Sequence, residues 1–407
     1  MKENNSSPLE PTEVSQNRYH SPGTNELAWL TGDFTGDGRM QIAQPYDNQS
    51  PGDIRMCVYG WQKEEKKMHY DWHGNIGQGA ATTDWVVGDI NGDGKDEIIT
   101  FMEDQMIVYL WTGQGIDDLK QNILLAPYSS PFSWVIGDID GDGLAEVIQF
   151  YDSNGRMGIN VYGWSATLGT MTLDYSSSDL GQGWGNNGIF VGNFDNKDRD
   201  DMLQTYGSNS SNFGLNLYKW DAHKHLIHVP FSQSNMGQGA AKTQILTANL
   251  NGDKQRELLQ VWNSGSQLSL NIYQWNSTQG IMETVFSKLL GTSYATQFFL
   301  MADVNNDGQD ELIQAYVDNN NLCMNVFLWD KGAAPGEGTM TNISSSPVAG
   351  QETSFASFLA GNALTKHGPA QIYQQWDNNG NLGMIIYEWS GSFTEVSMGI
   401  FWSGTFE

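Results

Sequence analysis

The stretch "GDIDGDGLAE", residues 137–146, places Asp138, Asp140, Asp142 and Glu146 at positions 1, 3, 5 and 9 of one short loop. Like charges this close repel unless something offsets them. Alternate spacing turns successive carboxylates toward one point when the backbone curls. Gly141 and Gly143 permit the curl, because glycine tolerates positive φ. Hard oxygen ligands in this number suit Ca²⁺ better than zinc or copper. An EF-hand loop begins in the same way but lies between helices. Here the flanks, "WVI" and "VIQFY", read as strands, so the loop belongs to a β-protein.

The loop recurs. Copies begin at Gly32 ("GDFTGDGRMQI"), Gly88 ("GDINGDGKDEI"), Gly137, Gly192 ("GNFDNKDRDDM"), Ala248 ("ANLNGDKQREL") and Ala302 ("ADVNNDGQDEL"), with a worn copy at Gly361 ("GNALTKHGPAQI"). Seven units cover nearly everything after residue 27. Each has the same internal order. An apolar strand leads into the acidic loop, and a second strand and a polar turn follow. A third strand ends in aromatic-x-Trp, as in Tyr59/Trp61, Tyr162/Trp164 and Tyr218/Trp220. A weaker fourth strand closes the unit. Four antiparallel strands repeated seven times predict an all-β, seven-bladed propeller over residues 26–407. A solenoid usually repeats at shorter intervals, and a sandwich has no reason to repeat sevenfold.

With its spacing of D-x-[DN]-x-D-G-x-x-[DE], the loop resembles the FG-GAP (VCBS-type) repeat. That family implies a propeller like the head of integrin α subunits, certain fungal lectins, and bacterial secreted or toxin-associated proteins. The resemblance is specific for fold and weak for function.

Composition narrows the partners. The formal charge is −27, from 47 acidic and 20 basic residues, which disfavours nucleic acid. Residues 1–25 are polar and rich in Pro, Ser and Asn, and read as a disordered leader. Neither a secretory h-region nor a membrane-spanning run is visible. Secretion or a cell-surface location is still expected, a cytoplasmic one not being excluded. Cys57 and Cys323 fall in third strands of non-adjacent units, so a disulfide between them is geometrically implausible.

The loops differ in ligand content. Asp89, Asn91, Asp93 and Glu97 in unit two, the opening set in unit three, and Asp303, Asn305, Asp307 and Glu311 in unit six are expected to hold structural Ca²⁺. Unit one keeps Asp33 and Asp37 but has Gln41 at position 9. Unit five has Asn249, Asn251, Asp253 and Glu257 and carries less charge. Unit four has Lys197 at position 5, where its ammonium is expected to stand in for a metal. Unit seven has lost its acids.

Loops 1–2 and 3–4 of a blade share one face, so the acidic loops leave the opposite face for a ligand. Second strands carry Gln149, Gln204, Gln260, Gln314 and Gln374, as well as Gln44. Two residues on, pointing the same way, come Tyr151, Tyr206, Trp262, Tyr316 and Trp376. Gly-Gln-Gly connections add Gln78, Gln182 (followed by Trp184) and Gln238. Third strands add Asn160, Asn216, Asn271 and Asn325. Aromatic faces with amides suit neutral sugars, and repetition would supply avidity. The same residues also read as blade-to-blade packing groups that satisfy the backbone. No nucleophile elbow, phosphate loop or zinc signature appears. His223, His225 and His228 form the one imidazole cluster. The expectation is a calcium-stabilised, non-catalytic, lectin-like protein that binds glycans or a cell-surface glycoprotein. A protein-interaction scaffold is the alternative, and a polysaccharide lyase or hydrolase comes third.

Overall fold

The computed structural model describes residues 28–403, apart from the short segments 48–52, 79–83, 103–104, 125–130, 182–187, 208–212, 222–223, 225, 235, 237–242, 295–296, 320, 333–336, 348–354 and 379–380. The leader, Gln182, Trp184, Gln238, His223 and His225 lie outside the described residues.

Period-2 patterning makes every element a strand. Seven antiparallel sheets form, each of four strands hydrogen-bonded in chain order. The blades span residues 30–78, 85–124, 131–177, 188–233, 243–292, 297–347 and 355–403. Among the described residues there is no helix, and so none able to cross a membrane. The turn "SNGR" of blade three shows how sequence sets a hairpin. Asn154 and Gly155 take φ of 56° and 83°, the doubly positive pair that a tight two-residue turn demands.

Each blade buries both faces. The apolar core divides into seven clusters, and each lies between one blade and the next. Ile148, Phe150 and Ile159 of blade three pack with Met202, Tyr218 and Trp220 of blade four, for example. The seventh cluster joins Met40, Ile42 and Tyr59 of blade one to Tyr373, Met384 and Ile386 of blade seven, so the ring closes. First strands neighbour first strands around the axis. No strand is shared at the seam, because all four strands of blade seven come from the C-terminal end. The backbone takes part as well: Met40 donates its N–H to Asn362 O at 3.3 Å, and His367 donates to Gly38 O at 3.4 Å.

One irregularity repeats. The pairing of third and fourth strands slips at or next to the first aromatic of aromatic-x-Trp in six of the seven blades, as at Val58/Tyr59, Val161/Tyr162 and Val326/Phe327. A bulge here sharpens the twist and re-aims side chains. Cys57 and Cys323 are free and buried, and burial pushes the Cys57 thiol up to about 11.

Candidate functional site

The acidic loops form a belt on one face. Position 1 caps its own turn in blades one, two, three, four and six; Asp138, for example, accepts from the N–H groups of Gly141, Asp142 and Gly143 at 2.7–3.1 Å. Position 9 holds the start of the loop, with Glu146 Oε2 accepting from Ile139 N at 2.9 Å. Glu97, Glu257 and Glu311 do the same for Ile90, Leu250 and Val304. Position 8 then reaches the preceding blade. The N–H groups of Asp96, Ala145, Asp200, Arg256, Asp310, Ala370 and Met40 donate to the position-1 carbonyls of Asp33, Asp89, Asp138, Asn193, Asn249, Asp303 and Asn362. The loops are thus clipped to one another right around the ring.

Their charge differs from blade to blade. In blade three, carboxylate oxygens of Asp138, Asp140 and Glu146 converge within 4.8 Å. Burial pushes Glu146 up to about 9, with Asp140 adding repulsion. Asp174 of the fourth strand leans over Gly163, where a Cβ would lie 2.3 Å from its carboxylate. An uncompensated cluster of hard oxygens fits a divalent cation. In blades two and six the Asn at position 3 donates to the Glu (Asn91 to Glu97, 2.8 Å; Asn305 to Glu311, 2.7 Å). Turning that amide over would present its oxygen instead. Burial holds Glu97 and Glu311 up at about 8.

Blade five satisfies itself. Glu257 Oε1 accepts from Asn251 at 2.6 Å and from Gln274 of the third strand at 3.0 Å. In blade one Asp37 is engaged by Arg39, whose Nε and Nη2 lie 2.9 and 2.5 Å from Oδ2. Gln41 takes the position-9 role and accepts from Thr35 N at 3.2 Å.

Blade four corrects the sequence reading. Lys197 is exposed and only brushes Asp195 at 3.5 Å. The ammonium inside the loop belongs to Lys219, at the x of Tyr218-x-Trp220. It lies 2.5 Å from Asp195 and 3.1 Å from Asp201, and all three side chains are buried. Tyr218 and Trp220 face blade three, so alternation turns Lys219 toward blade five, where it sits 5.0 Å from the Trp275 ring. The x position had signalled nothing beyond packing.

The FG-GAP-like repeat family matches residues 89–148, which run from the loop of blade two through that of blade three. An FG-GAP-like repeat thus lies within the seven-bladed propeller. No curated protein matches it in sequence. Among solved structures, this propeller is similar to a protein from Lactobacillus plantarum (13% identity, 88% of this chain and 96% of that one, TM-score 0.56). It is also similar to a periplasmic gluconolactonase from Pseudomonas aeruginosa (10% identity, 91% and 95%, TM-score 0.51). A third is an exotype rhamnogalacturonan lyase (13% identity, 95% and 76%, TM-score 0.45). At these identities the likeness shows the fold alone. It does overturn one expectation: the similar gluconolactonase is an enzyme, so this architecture gives no ground for a non-catalytic role.

The amide-aromatic ring also lies elsewhere than expected. Gln149, Gln204, Gln260, Gln314 and Gln374 are buried at 0–1% exposure. Their Oε1 atoms accept from partners on the third strand: Asn160 at 2.8 Å, Asn216 at 2.8 Å with Tyr218 OH at 2.7 Å, Asn271 at 3.0 Å with Tyr273 OH at 2.8 Å, Asn325 at 2.8 Å, and Tyr387 OH at 2.7 Å. Gln, Asn and Tyr therefore make one internal ladder that joins strands two and three, and the amides do not face a ligand. A buried amide needs a partner, and the third strand supplies one for each glutamine carbonyl oxygen. Tyr151 and Tyr316 are buried as well; Tyr206 and Trp262 are half-buried. Tyr151 and Tyr206 lie flat over Gly158 and Gly214 of the neighbouring strand. Gln78 ends the fourth strand of blade one and Trp376 lies in the second strand of blade seven.

A cavity of about 420 Å³ opens instead on the acidic face, beside blade one where it meets blade seven. Its wall carries Trp61, Gln62, Arg39, Asp37, Asp71 and Glu64. Gly60, the x residue of this blade, leaves room for it, and the Asp71 carboxylate rests on that glycine. Burial against the sheet raises Asp71 above the ordinary carboxylate range. Trp61 is half-buried, while Glu64 is exposed. An aromatic ring, an amide, a guanidinium and carboxylates thus converge on one hollow.

Proposed function

We propose that the chain is a calcium-stabilised recognition propeller that binds carbohydrate in the pocket beside blade one. The pocket carries this reading. Its volume falls within the range of small-molecule sites. Trp61 offers a face for the apolar side of a sugar ring. Gln62, Arg39 and Asp71 offer donors and acceptors in the fixed planes that hydroxyl pairs need. Its titratable groups include three carboxylates, Asp37, Glu64 and Asp71, against the cations Arg39 and Lys63. That balance favours neutral or amino sugars over uronates.

Calcium at blade three, and at blades two and six after the asparagine amides turn, would neutralise carboxylates that burial holds at raised pKa. Metal that prefers the folded state stabilises it by mass action. Such coupling suits a calcium-rich compartment outside the cell, and a secreted protein is proposed on that ground.

The test is a glycan array in calcium, followed by titration calorimetry on any sugar retained. Trp61→Ala abolishes sugar-inhibitable binding while Trp262→Ala keeps it. No sugar-inhibitable binding, or binding kept in Trp61→Ala, rejects the pocket. A second reading, cleavage of a polysaccharide, is favoured by one observation: burial raises the pKa of Asp71, and the nearby charge of Asp37 adds to it. A carboxyl with a raised pKa beside a second carboxyl is the equipment of acid-base bond cleavage. Release of new chain ends from a bound polysaccharide, lost in Asp71→Asn, would establish it.

A further inference from the structure

We propose that Lys219 is the built-in cation of blade four and that its ammonium keeps a divalent ion out of a loop otherwise able to bind one. Asp195 and Asp201 occupy positions 3 and 9 of their loop, as Asp140 and Glu146 do in blade three. In blade three those positions join Asp138 in a convergent oxygen cluster. In blade four the Lys219 ammonium sits between them, at 2.5 and 3.1 Å. The Asp195 and Asp201 side chains are 2% and 0% exposed, so neither carboxylate can rely on water for its charge. One oxygen of each, Oδ1 in both cases, is buried with no hydrogen-bond partner. A compact ammonium meets two carboxylate oxygens, whereas an ion taking six or more would draw on the others too.

Blades one, two, three, five and six carry other residues at the x position, and what lies beside the loop differs with them. Blade five has Gln274 there, which donates to Glu257 and adds no charge. Blades one and three have Gly60 and Gly163, and an aspartate of the fourth strand, Asp71 or Asp174, lies against each. Blades two and six have Leu110 and Leu328, which reach no acid with a polar atom. Blade four alone has a lysine. The bulge in third- and fourth-strand pairing falls between Leu217 and Lys219 and sets the stem toward the loop. The position-1 residue fits the same logic. Asn193 replaces the aspartate found in blade three, and it spends its amide on Lys197, accepting from Lys197 N at 2.9 Å and donating to Lys197 O.

This inference rests on the calcium reading for the other blades, and the experiment separates the two. Bound Ca²⁺ per folded chain is counted by native mass spectrometry for the wild type, Lys219→Gly, Lys219→Leu and Asp195→Asn. The wild-type count itself reports on calcium in the other blades. The difference between variants reports on Lys219. Lys219→Gly or Lys219→Leu binds one more ion than the wild type, and Asp195→Asn binds the same number. An unchanged count in both lysine variants overturns the proposal, and so does one ion fewer in Asp195→Asn. The Asp195→Asn arm decides the matter if the lysine variants fail to fold, since a loss there means that the native loop already holds a metal.

Discussion

Met40 donates its backbone N–H to the carbonyl of Asn362, 3.3 Å away and 322 positions along the chain. This bond is the seventh in a ring of equivalent clips, and it is the one that joins the last blade to the first. The Met40 side chain lies in the cluster that bridges the same seam, beside Ala363, Tyr373 and Met384.

The seam should therefore be sensitive to packing. Met40→Ala removes a buried side chain and leaves a cavity, at a cost of about 2–5 kcal/mol. We expect a lower melting temperature, with faster amide exchange in the second and third strands of blade seven than in blade four. Equal exchange in both blades would mean that the seam holds no better and no worse than any other junction.

Stability without metal should depend on pH. Burial holds Glu97, Glu257 and Glu311 at about 8 and Glu146 at about 9, against 4.5 for an ordinary glutamate. Between those values the folded chain keeps protons that the unfolded chain has released. Stability of the metal-free protein then falls as pH rises from about 4.5 through 8–9 and is fully present below 4.5, as far as these groups are concerned. Melting in EDTA should be lower at pH 8 than at pH 6, and excess Ca²⁺ should close most of that gap. A chelated protein melting at the same temperature at both values would contradict the burial argument.

The Gln–Asn–Tyr ladder should govern stability and leave binding alone. Asn160→Ala takes the donor from Gln149 and costs about 1–3 kcal/mol for the buried oxygen left behind. Denaturant unfolding reads that loss, and any carbohydrate binding should persist at unchanged affinity. Trp61→Ala should behave in the opposite way, folding normally and losing the ligand.

Gly158 tests the aromatic-on-glycine contact. A Cβ there would lie 2.3 Å from the Tyr151 ring. Gly158→Val forces the ring away and should destabilise the blade by about 1–3 kcal/mol. Gly155→Val, in the adjoining turn, meets no neighbour but suffers a φ of 83°, so it should be destabilising for backbone reasons alone. Rescue of the Gly158 variant by Tyr151→Ala, with none for the Gly155 variant, would separate the two causes.

Much of this was legible in the residues. Alternation, the recurring acidic loop and the "SNGR" turn are local patterns, and each carries its backbone geometry with it. Seven copies then imply a ring, because a blade that buries both faces needs a neighbour on each side. The acidic content of each loop could also be read directly, and in blade three Asp138, Asp140 and Glu146 do converge. Three features were decided only by the tertiary structure. Lys219, rather than Lys197, fills the blade-four loop, because a bulge and strand alternation set the direction of a side chain far along the chain. The glutamines lie inside, because their partners Asn160, Asn216 and Tyr218 are opposite them on the third strand and engage their carbonyl oxygens. The pocket sits on the acidic face, because Gly60 and the worn loop of blade seven happen to meet there. Local pattern dictates local backbone. Which charge meets which depends on the packing of strands remote in sequence, and that only the assembled ring decides.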